Sequence, residues 1–403
     1  MRAIVFGMGY HFGRFMIYKE KYMADLEIDC ICDNDVNISN NRIHGIDVIS
    51  PKLLKKRIQK NHVDVILITV NRGQDIVDQL VEMNIWIKMY VLRPNSLSEF
   101  LCGNLPKAES NFNVISAVEL VFSLVPPQLA RLEVDIVDHC NLNCRACGKL
   151  SNIANEKYLD IEVFRHDLKR LKELYSNIKL FRLMGGEPLL HPKVSEFVKA
   201  ARHYFPNASI RVVTNGLLLT SDKIDKNLFE IMHNCAALFD ISMYLPTTKI
   251  WFSILEVLRK NNIRYNITEP INIFSRRLTQ DRKNYKEAFY KCEIGCTTLR
   301  EGYITRCERG RLLKKLAEYF GANIDEKVFG TGFYNIHDDE IDGYKLKKML
   351  YDNPFPACSY CESEIMGDLT VLLTDKDARF RWTVNGEPQL QDYFYGGSVE
   401  KIE

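Results

Sequence analysis

The sequence predicts an α/β protein with two parallel sheets, and two observations carry this prediction. Short apolar runs alternate with amphipathic stretches of helical period over residues 1–95, and the same alternation begins again at residue 132 and ends near residue 267. Strands separated by helices favour parallel βαβ units with right-handed crossovers. Between the two alternations, residues 105–128 contain three prolines, so we expect a linker there.

The first alternation predicts a domain over residues 1–104, with strands at 3–6, 28–32, 63–70 and 85–91. The second predicts a core over residues 129–274. Its strands are expected at 132–137, 179–184, 210–213, 238–243 and 264–267, with helices at 161–175, 194–205, 226–234 and 249–261 between them. In residues 275–403 the rhythm stops, and we expect a hairpin bearing cysteines, a basic helix near 311–319 and an irregular tail.

Composition limits the cellular location and the classes of partner that we expect. The chain has 403 residues, of which 46% are hydrophobic and 26% charged, and its formal net charge is +2. This charge gives no large basic field, so we expect neither nucleic acid nor a membrane as partner. We see no export or anchoring signal and expect a cytoplasmic location, where twelve cysteines favour metal ligation over disulfides.

Three cysteines follow directly on the predicted strand 132–137. They are Cys140, Cys144 and Cys147, in a C-x3-C-x2-C spacing. The loop at the carboxyl end of a parallel strand is where α/β folds build their sites. Thiolates suit iron–sulfur clusters, and three of them leave one iron open to a substrate or cofactor. For the triplet alone, a zinc site or three buried cysteines is the alternative.

The triplet and the motifs that follow it in order resemble the radical S-adenosylmethionine (SAM) superfamily. One departure is Ala146, because the residue before the third cysteine is usually aromatic in that family. The matching motifs are Gly185, Gly186, Glu187 and Pro188, similar to the GGEP motif that binds the SAM amino group; Thr214, Asn215 and Gly216, where the family contacts the ribose and carboxylate; and Ser242 and Tyr244, which end the next strand.

The resemblance implies a partial (β/α)6 barrel with a [4Fe–4S] cluster and bound SAM. In this family the cluster passes an electron to SAM, and the resulting 5′-deoxyadenosyl radical removes a hydrogen atom from the substrate. A flavodoxin or ferredoxin is the implied electron donor. A second Gly-Glu-Pro string, at residues 386–388, follows no strand of a βαβ unit, and we interpret it as a surface turn.

A second group of cysteines lies beyond the core, and it ends in a C-x2-C pair. It resembles the auxiliary-cluster region of SPASM and twitch-type radical SAM enzymes, which implies one auxiliary [4Fe–4S] cluster. Four ligands are needed from five thiols, so either Cys292 or Cys296 is spare; a zinc ribbon is the alternative. The five thiols are Cys292, Cys296, Cys307, Cys358 and Cys361.

The spare thiol suggests a role in catalysis. A cysteine near the substrate could donate a hydrogen atom to the opposite face of a substrate radical and so give epimerisation. Cys296 and Cys235 are the candidates, and a packed thiol without function is the alternative.

The first domain begins with a G-x-G-x3-G string after a strand. Gly7, Gly9 and Gly13 fit phosphate at a helix N-terminus, and Asp33 and Asp35 follow the second strand, where a carboxylate can meet a ribose. With residues 44–51, this stretch resembles the Rossmann-like domain of bacterial sugar-modifying enzymes. It implies a nucleotide or nucleotide-sugar ligand; a docking domain with a vestigial site is the alternative.

Together these features predict a radical SAM oxidoreductase or epimerase that acts on a carbohydrate or nucleotide-sugar in surface-glycan biosynthesis. A radical SAM peptide maturase is one alternative. The other is a metal-stabilised binding protein without catalysis. The sequence leaves open the substrate, the position attacked and the oligomeric state.

Overall fold

The computed structural model describes residues 1–70, 72–94, 120–124, 126–144, 147–271, 273–275, 278–279, 282–292, 296–361, 379–381 and 387–395. Ala146 and most of the expected linker lie outside these residues. By contacts the chain divides into two units. One comprises Met1–Gln128 with Gly343–Lys345, and the other comprises Leu129–Asp342 with Leu346–Glu403.

The first unit is built on a seven-stranded sheet. Its strands, in chain order, are β1 (Arg2–Phe6), β2 (Glu27–Cys32), β3 (Arg42–Ile43), β4 (Ile46–Ile49), β5 (Val65–Ile68), β6 (Lys88–Pro94) and β7 (Leu120–Leu124). The spatial order is β3-β4-β2-β1-β5-β6-β7. The two edge strands are antiparallel to their neighbours: β3 pairs with β4, and β7 pairs with β6. The helices are α1 (Tyr10–Tyr22), α2 (Pro51–Asn61) and α3 (Gly73–Glu82).

Two elements of this unit differ from the expectation. The hairpin of β3 and β4 was not predicted, because two-residue and four-residue strands give too little apolar periodicity. The expected linker 105–128 is not purely a connection, since β7 lies within it and pairs with β6 from Leu124 to Leu120. The strands β2, β1, β5 and β6 pair parallel, as the alternation of apolar and amphipathic runs predicts.

The second unit contains an eight-stranded sheet in the order β12-β11-β10-β9-β8-β15-β16-β17. Its first five strands are parallel and follow one another along the chain. They are β8 (Gln128–Val137), β9 (Asn177–Gly185), β10 (Ser209–Thr214), β11 (Leu238–Ile241) and β12 (Arg264–Ile267). The structure therefore confirms the α/β class with two largely parallel sheets.

Helices separate these strands. They are α4 (Ile161–Leu174), α5 (Val194–Tyr204), α6 (Leu228–Asn234), α7 (Leu245–Lys249) and α8 (Trp251–Lys260). The Asp160 carboxylate caps α4 by accepting from the N–H groups of Glu162 and Val163. The helix expected at 249–261 corresponds to α8. The backbone at Ile250 leaves the helical region and separates α8 from α7, a five-residue helix that was not predicted.

The rest of the unit extends the sheet beyond β8 and adds two small two-stranded sheets. The strands β13 (Ile273–Ser275) and β14 (Leu278–Thr279) belong to these small sheets and precede α9 (Tyr285–Lys291). β15 (Thr298–Arg300) then pairs parallel with β8, so the sixth parallel strand comes from the cysteine-bearing region. β16 (Tyr303–Thr305) and β17 (Phe333–Asn335) extend the sheet antiparallel. The remaining elements are α10 (Arg309–Phe320), α11 (Gly343–Asp352), β18 (Arg379–Arg381) and β19 (Phe394–Tyr395).

The parallel strands have one apolar and one polar face. Leu132, Val134 and Ile136 of β8 belong to the main hydrophobic core with Phe181 and Leu183 of β9. The alternate residues of these strands face the other way, because successive side chains of a strand alternate. We call this second surface the inner face. No helix within the described ranges is long and apolar enough to cross a bilayer.

Candidate active site

The cysteine triplet lies in the loop that follows β8. The Leu142 N–H points to the Cys140 sulfur at 3.4 Å, and the Asn215 side-chain amide reaches the Asn141 Oδ1 at 2.7 Å. Cys144 is buried, whereas Cys140 and Cys147 are partly exposed. The loop is therefore held by the end of β10, two strands away.

Gly185 and Gly186 let the end of β9 approach the backbone of this loop. A Cβ on Gly185, whose φ is 130°, would lie 2.1 Å from the Val137 carbonyl oxygen, and a Cβ on Gly186 would lie 1.9 Å from that of His139. Two backbone hydrogen bonds use this proximity: the Gly186 N–H donates to Val137 and the Glu187 N–H to His139. Only glycine fits at these positions.

The Glu187 carboxylate lies beneath the loop and is only 1% exposed. It accepts from the Thr214 hydroxyl at 2.7 Å, from the Asn215 N–H at 2.8 Å and from the Leu189 N–H at 3.0 Å. Burial raises the pKa of this carboxyl to about 7, although these three donors act in the opposite direction. The carboxylate that the resemblance assigns to an ammonium group thus holds two motifs together.

The third motif turns sharply after β10. Gly216 has φ 78°, and the Thr247 hydroxyl donates to the Asn215 carbonyl at 2.6 Å. Tyr244 packs with the cysteine triplet in one small apolar cluster. Its phenol has a raised pKa, first because it is buried and then because Cys144 and Cys147 lie close by. The motif residues at the ends of β8 to β11 therefore converge on one edge of the sheet.

One cavity of about 790 Å³ collects these groups. All three cysteines of the triplet line it, as do Gly185, Gly186 and Glu187 of the second motif. The same holds for Thr214, Asn215, Ser242 and Tyr244. Pro188 and Gly216 are not among the lining residues; Pro188 begins a short 3-10 helix, and Gly216 makes the turn described above.

Four thiols of the second cysteine group lie near one another. Burial raises the pKa of the Cys358 thiol to about 12, and three neighbouring thiols add to that shift, namely Cys307, Cys361 and Cys292. Cys292, Cys307 and Cys361 also line the large cavity. Among the described residues, no three cysteine sulfurs of either group lie within 4.8 Å of one another.

Two arginines accompany this group. Arg309 donates to the Cys361 sulfur at 3.6 Å, and Arg306 donates to the Cys292 carbonyl at 2.7 Å. The Arg306 guanidinium also stacks over the Phe289 ring at 4.3 Å. These cations stand beside thiols that must lose their protons to bind a metal.

Cys296 faces a different environment. It lines the cavity, and burial raises its pKa, to which the nearby Glu133 carboxylate adds. Thr298 pairs with Thr305, and the same register would place Cys296 opposite Cys307. The strand pairing does not reach Cys296, however, because β15 begins at Thr298. Cys235 lies elsewhere, at the end of α6 before β11 begins, and it does not line the cavity.

Sequence reasoning missed a group of charged residues on the inner face. Arg131 and Arg182 both donate to the Glu133 carboxylate, and the Arg182 contact measures 2.9 Å. Lys149 binds Asp135 at 2.9 Å and Glu308 at 2.7 Å. Charges at every second position of the apolar strand β8, at residues 131, 133 and 135, are the signal that could have revealed them.

A second cavity, of about 390 Å³, lies within the first unit at the carboxyl ends of its strands. Gly7 and Asp33 line it, while Gly9, Gly13 and Asp35 do not. The Asp33 carboxylate accepts from the Met8 N–H at 2.8 Å and from the Asp35 N–H at 2.9 Å. Asp35 itself caps a turn through the Asn37 N–H, so only part of the expected constellation meets in this cavity.

Comparison with known proteins identifies the core. Residues 134–271 match the model of the radical SAM superfamily, so this chain contains a radical SAM domain. The match begins in β8 and ends after β12, and it includes all the motif residues that converge on the large cavity. A domain of this superfamily implies an enzyme that uses a [4Fe–4S] cluster and SAM.

Curated relatives match over part of their length. A GTP 3′,8-cyclase of Microcystis aeruginosa is 31% identical over 106 residues, which are 26% of this chain and 32% of that protein. A GTP 3′,8-cyclase of Trichodesmium erythraeum is 32% identical over 104 residues, 25% of this chain and 30% of that one. The chain thus spans about a third of the length of these relatives.

Solved structures resemble parts of this chain at low sequence identity. BtrN in complex with AdoMet and 2-DOIA is 14% identical, with a TM-score of 0.34, and the match covers 57% of this chain and 89% of BtrN. UDP-D-quinovosamine 4-dehydrogenase from Vibrio fischeri is 16% identical, with a TM-score of 0.22, over 30% of this chain and 92% of that one.

Proposed function

We propose that this chain is a radical SAM oxidoreductase or epimerase that removes a hydrogen atom from a carbohydrate or nucleotide-sugar in surface-glycan biosynthesis. One observation carries the proposal. The cavity of about 790 Å³ is lined at once by the cysteine triplet, by the glycine and asparagine motifs and by thiols of the second cysteine group. A substrate in this space would lie between the two groups of cysteines.

The residues present fit the core cofactors. Cys140, Cys144 and Cys147 would hold three irons of a [4Fe–4S] cluster and leave the fourth for SAM. Gly185 and Gly186 provide backbone without a side chain beside this loop, so a ligand can approach closely. When bound, the cluster and SAM supply the 5′-deoxyadenosyl radical; the chain positions the substrate and excludes water.

The residues of the second group fit one auxiliary [4Fe–4S] cluster, with Cys292 as the fourth ligand. Cys292 lies near the other three thiols, whereas Cys296 is beside Glu133. The zinc ribbon is the alternative for this group, and the metal content of the purified protein distinguishes the two.

We assign the spare thiol, Cys296, as the hydrogen donor for epimerisation. Hydrogen-atom transfer requires the thiol and not the thiolate, and both burial and Glu133 favour the protonated form. The S–H bond breaks and a C–H bond forms on the substrate radical, which leaves a sulfur-centred radical. One electron and one proton from the external reductant and solvent restore the thiol. Cys235, at the opposite end of the strands, does not fit this role.

The polar inner face suits a substrate rich in oxygen atoms, because carbohydrate hydroxyls pair with charged donors and acceptors. In the first unit, the cavity beside Gly7 and Asp33 would bind the nucleotide of a nucleotide-sugar. A flavodoxin or ferredoxin is the proposed electron donor, and we propose a cytoplasmic location.

The decisive experiment is anaerobic purification, a count of iron and sulfide, and an assay of reductive SAM cleavage to 5′-deoxyadenosine. We expect about eight irons per chain and cleavage that Cys144→Ala abolishes. Bound zinc without cleavage would refute the enzyme and favour a metal-stabilised binding protein. Activity on a peptide, with none on sugars or nucleotide-sugars, would favour the peptide maturase.

A further inference from the structure

Two guanidinium groups on the inner face share a single carboxylate. Arg131 of β8 and Arg182 of β9 both donate to Glu133, which is only 3% exposed. The Arg182 Nε is also 3.7 Å from Asp240, but Asp240 has partners of its own in Arg211 and Asn266. Among the residues that the structure describes, the pair of guanidiniums therefore leaves one positive charge without a local counter-charge.

The guanidinium donors are incompletely used. Within the described part of the chain, the Nε atoms of Arg131 and Arg182 are buried and have no hydrogen-bond partner. A buried N–H without an acceptor is destabilising, because it has lost its hydrogen bond to water. Both side chains line the large cavity, so a ligand there can contact the guanidinium groups.

Neighbouring charges do not cancel the surplus. Lys149 is 3.9 Å from the second oxygen of Glu133, but its closer partners are Asp135 and Glu308. Arg311 binds the same two carboxylates, so this second cluster is balanced within itself. Buried ionic groups contribute little net stability compared with apolar packing, which makes a binding role the better explanation of this inner face.

We propose that Arg131 and Arg182 form an anion subsite, so that the substrate of this cavity carries a phosphate or a carboxylate. The inference rests on the proposed function, and it specifies the substrate class. An oxyanion accepts from two forked guanidiniums at once, which fixes its position and orientation. Held at β8 and β9, the anion would set which substrate carbon faces the cysteine triplet at the ends of the same strands.

The test uses the full chain, reconstituted without oxygen and loaded with SAM, and calorimetric titration with three probes. These are glucose 1-phosphate for the phosphate, glucuronate for the carboxylate and glucose as the neutral comparison. We expect at least one anion to bind more tightly than glucose, and its Kd to rise about tenfold or more in R131Q and R182Q. The anion that binds shows whether the charged group of the substrate is a phosphate or a carboxylate.

Arg211→Gln is the matched control, because Arg211 lies on the same face of β10 but does not line the cavity. The subsite is overturned if no anion binds, if glucose binds equally well, or if R211Q weakens binding as much as R131Q. Where a glutamine variant does not fold, the lysine variant decides: it keeps the charge beside Glu133 but loses the forked contact, so affinity must still fall.

SAM cleavage by the same wild-type sample separates this inference from the proposed function. Cleavage without anion binding rejects the subsite alone. Anion binding without cleavage rejects the radical chemistry and leaves the subsite standing.

Discussion

The hydroxyl of Thr214 donates a hydrogen bond of 2.7 Å to the carboxylate of Glu187. This contact joins the end of β10 to the loop after β9, and the Asn215 N–H reinforces it at 2.8 Å. Asn215 in turn reaches the cysteine loop through Asn141. Glu187 therefore positions three motifs that are far apart in the sequence.

Replacement of this carboxylate tests its positioning role. In Glu187→Gln one of the three donors loses its acceptor, so we expect the free energy of unfolding to fall by about 1–3 kcal/mol and SAM affinity to fall with it. Urea unfolding and SAM titration provide the measurements. Glu387→Gln alters an exposed side chain and should shift the free energy of unfolding by less than about 0.5 kcal/mol. Equal effects of the two variants would contradict this role.

Gly186→Ala should damage the site through the backbone. The new Cβ would meet the His139 carbonyl oxygen at 1.9 Å, so the loop must move, at a cost of about 1–3 kcal/mol in unfolding free energy. SAM binding should weaken in parallel. Gly148→Ala in the same loop is the control, because its Cβ would meet nothing within 4 Å. A fully stable G186A variant would refute the close approach.

Replacement of the two candidate auxiliary ligands, one at a time, should affect the iron content of the protein differently. Cys292→Ser is expected to lower the count from about eight to about four irons per chain, whereas Cys296→Ser should leave it unchanged. Both variants should retain the core cluster. Loss of iron in C296S with full iron in C292S would reverse our assignment of the fourth ligand.

Acid should weaken the contribution of Asp135 to the free energy of unfolding. Burial disfavours its charged form, but Lys149 and Arg311 outweigh that effect and hold its pKa at about 2. Because this pKa lies below the value of about 4 in the unfolded chain, the stabilisation is full above pH 4 and is lost as the pH falls towards 2.

Asp135→Asn should therefore lower the unfolding free energy by about 3–5 kcal/mol at pH 7, since Lys149 would lose a buried partner. We expect the difference between wild type and D135N, measured by urea unfolding of the cluster-free protein, to narrow between pH 4 and pH 3. A difference that does not change over this range would show that folding does not shift the pKa of Asp135.

Local sequence patterns anticipated much of the core. The strand at 264–267 matches β12, and the helix expected at 161–175 matches α4, because an amphipathic period and a capping Asp160 are local signals. The break at Ile250 and the short strands β3 and β4 were not anticipated, since weak local periodicity leaves them to tertiary packing.

By itself the sequence determined the cysteine triplet, the Gly-Gly and Thr-Asn-Gly turns and their order on successive strands, because each is a local motif placed by the βαβ rhythm. Only the tertiary structure decided that Cys292 lies near Cys307, that the Glu187 carboxylate accepts from the Thr214 hydroxyl, and that Arg131 and Arg182 share Glu133. The Thr214–Glu187 and Arg182–Glu133 contacts join residues 27 and 49 positions apart in the sequence. They depend on strand register and side-chain direction, which no local pattern encodes.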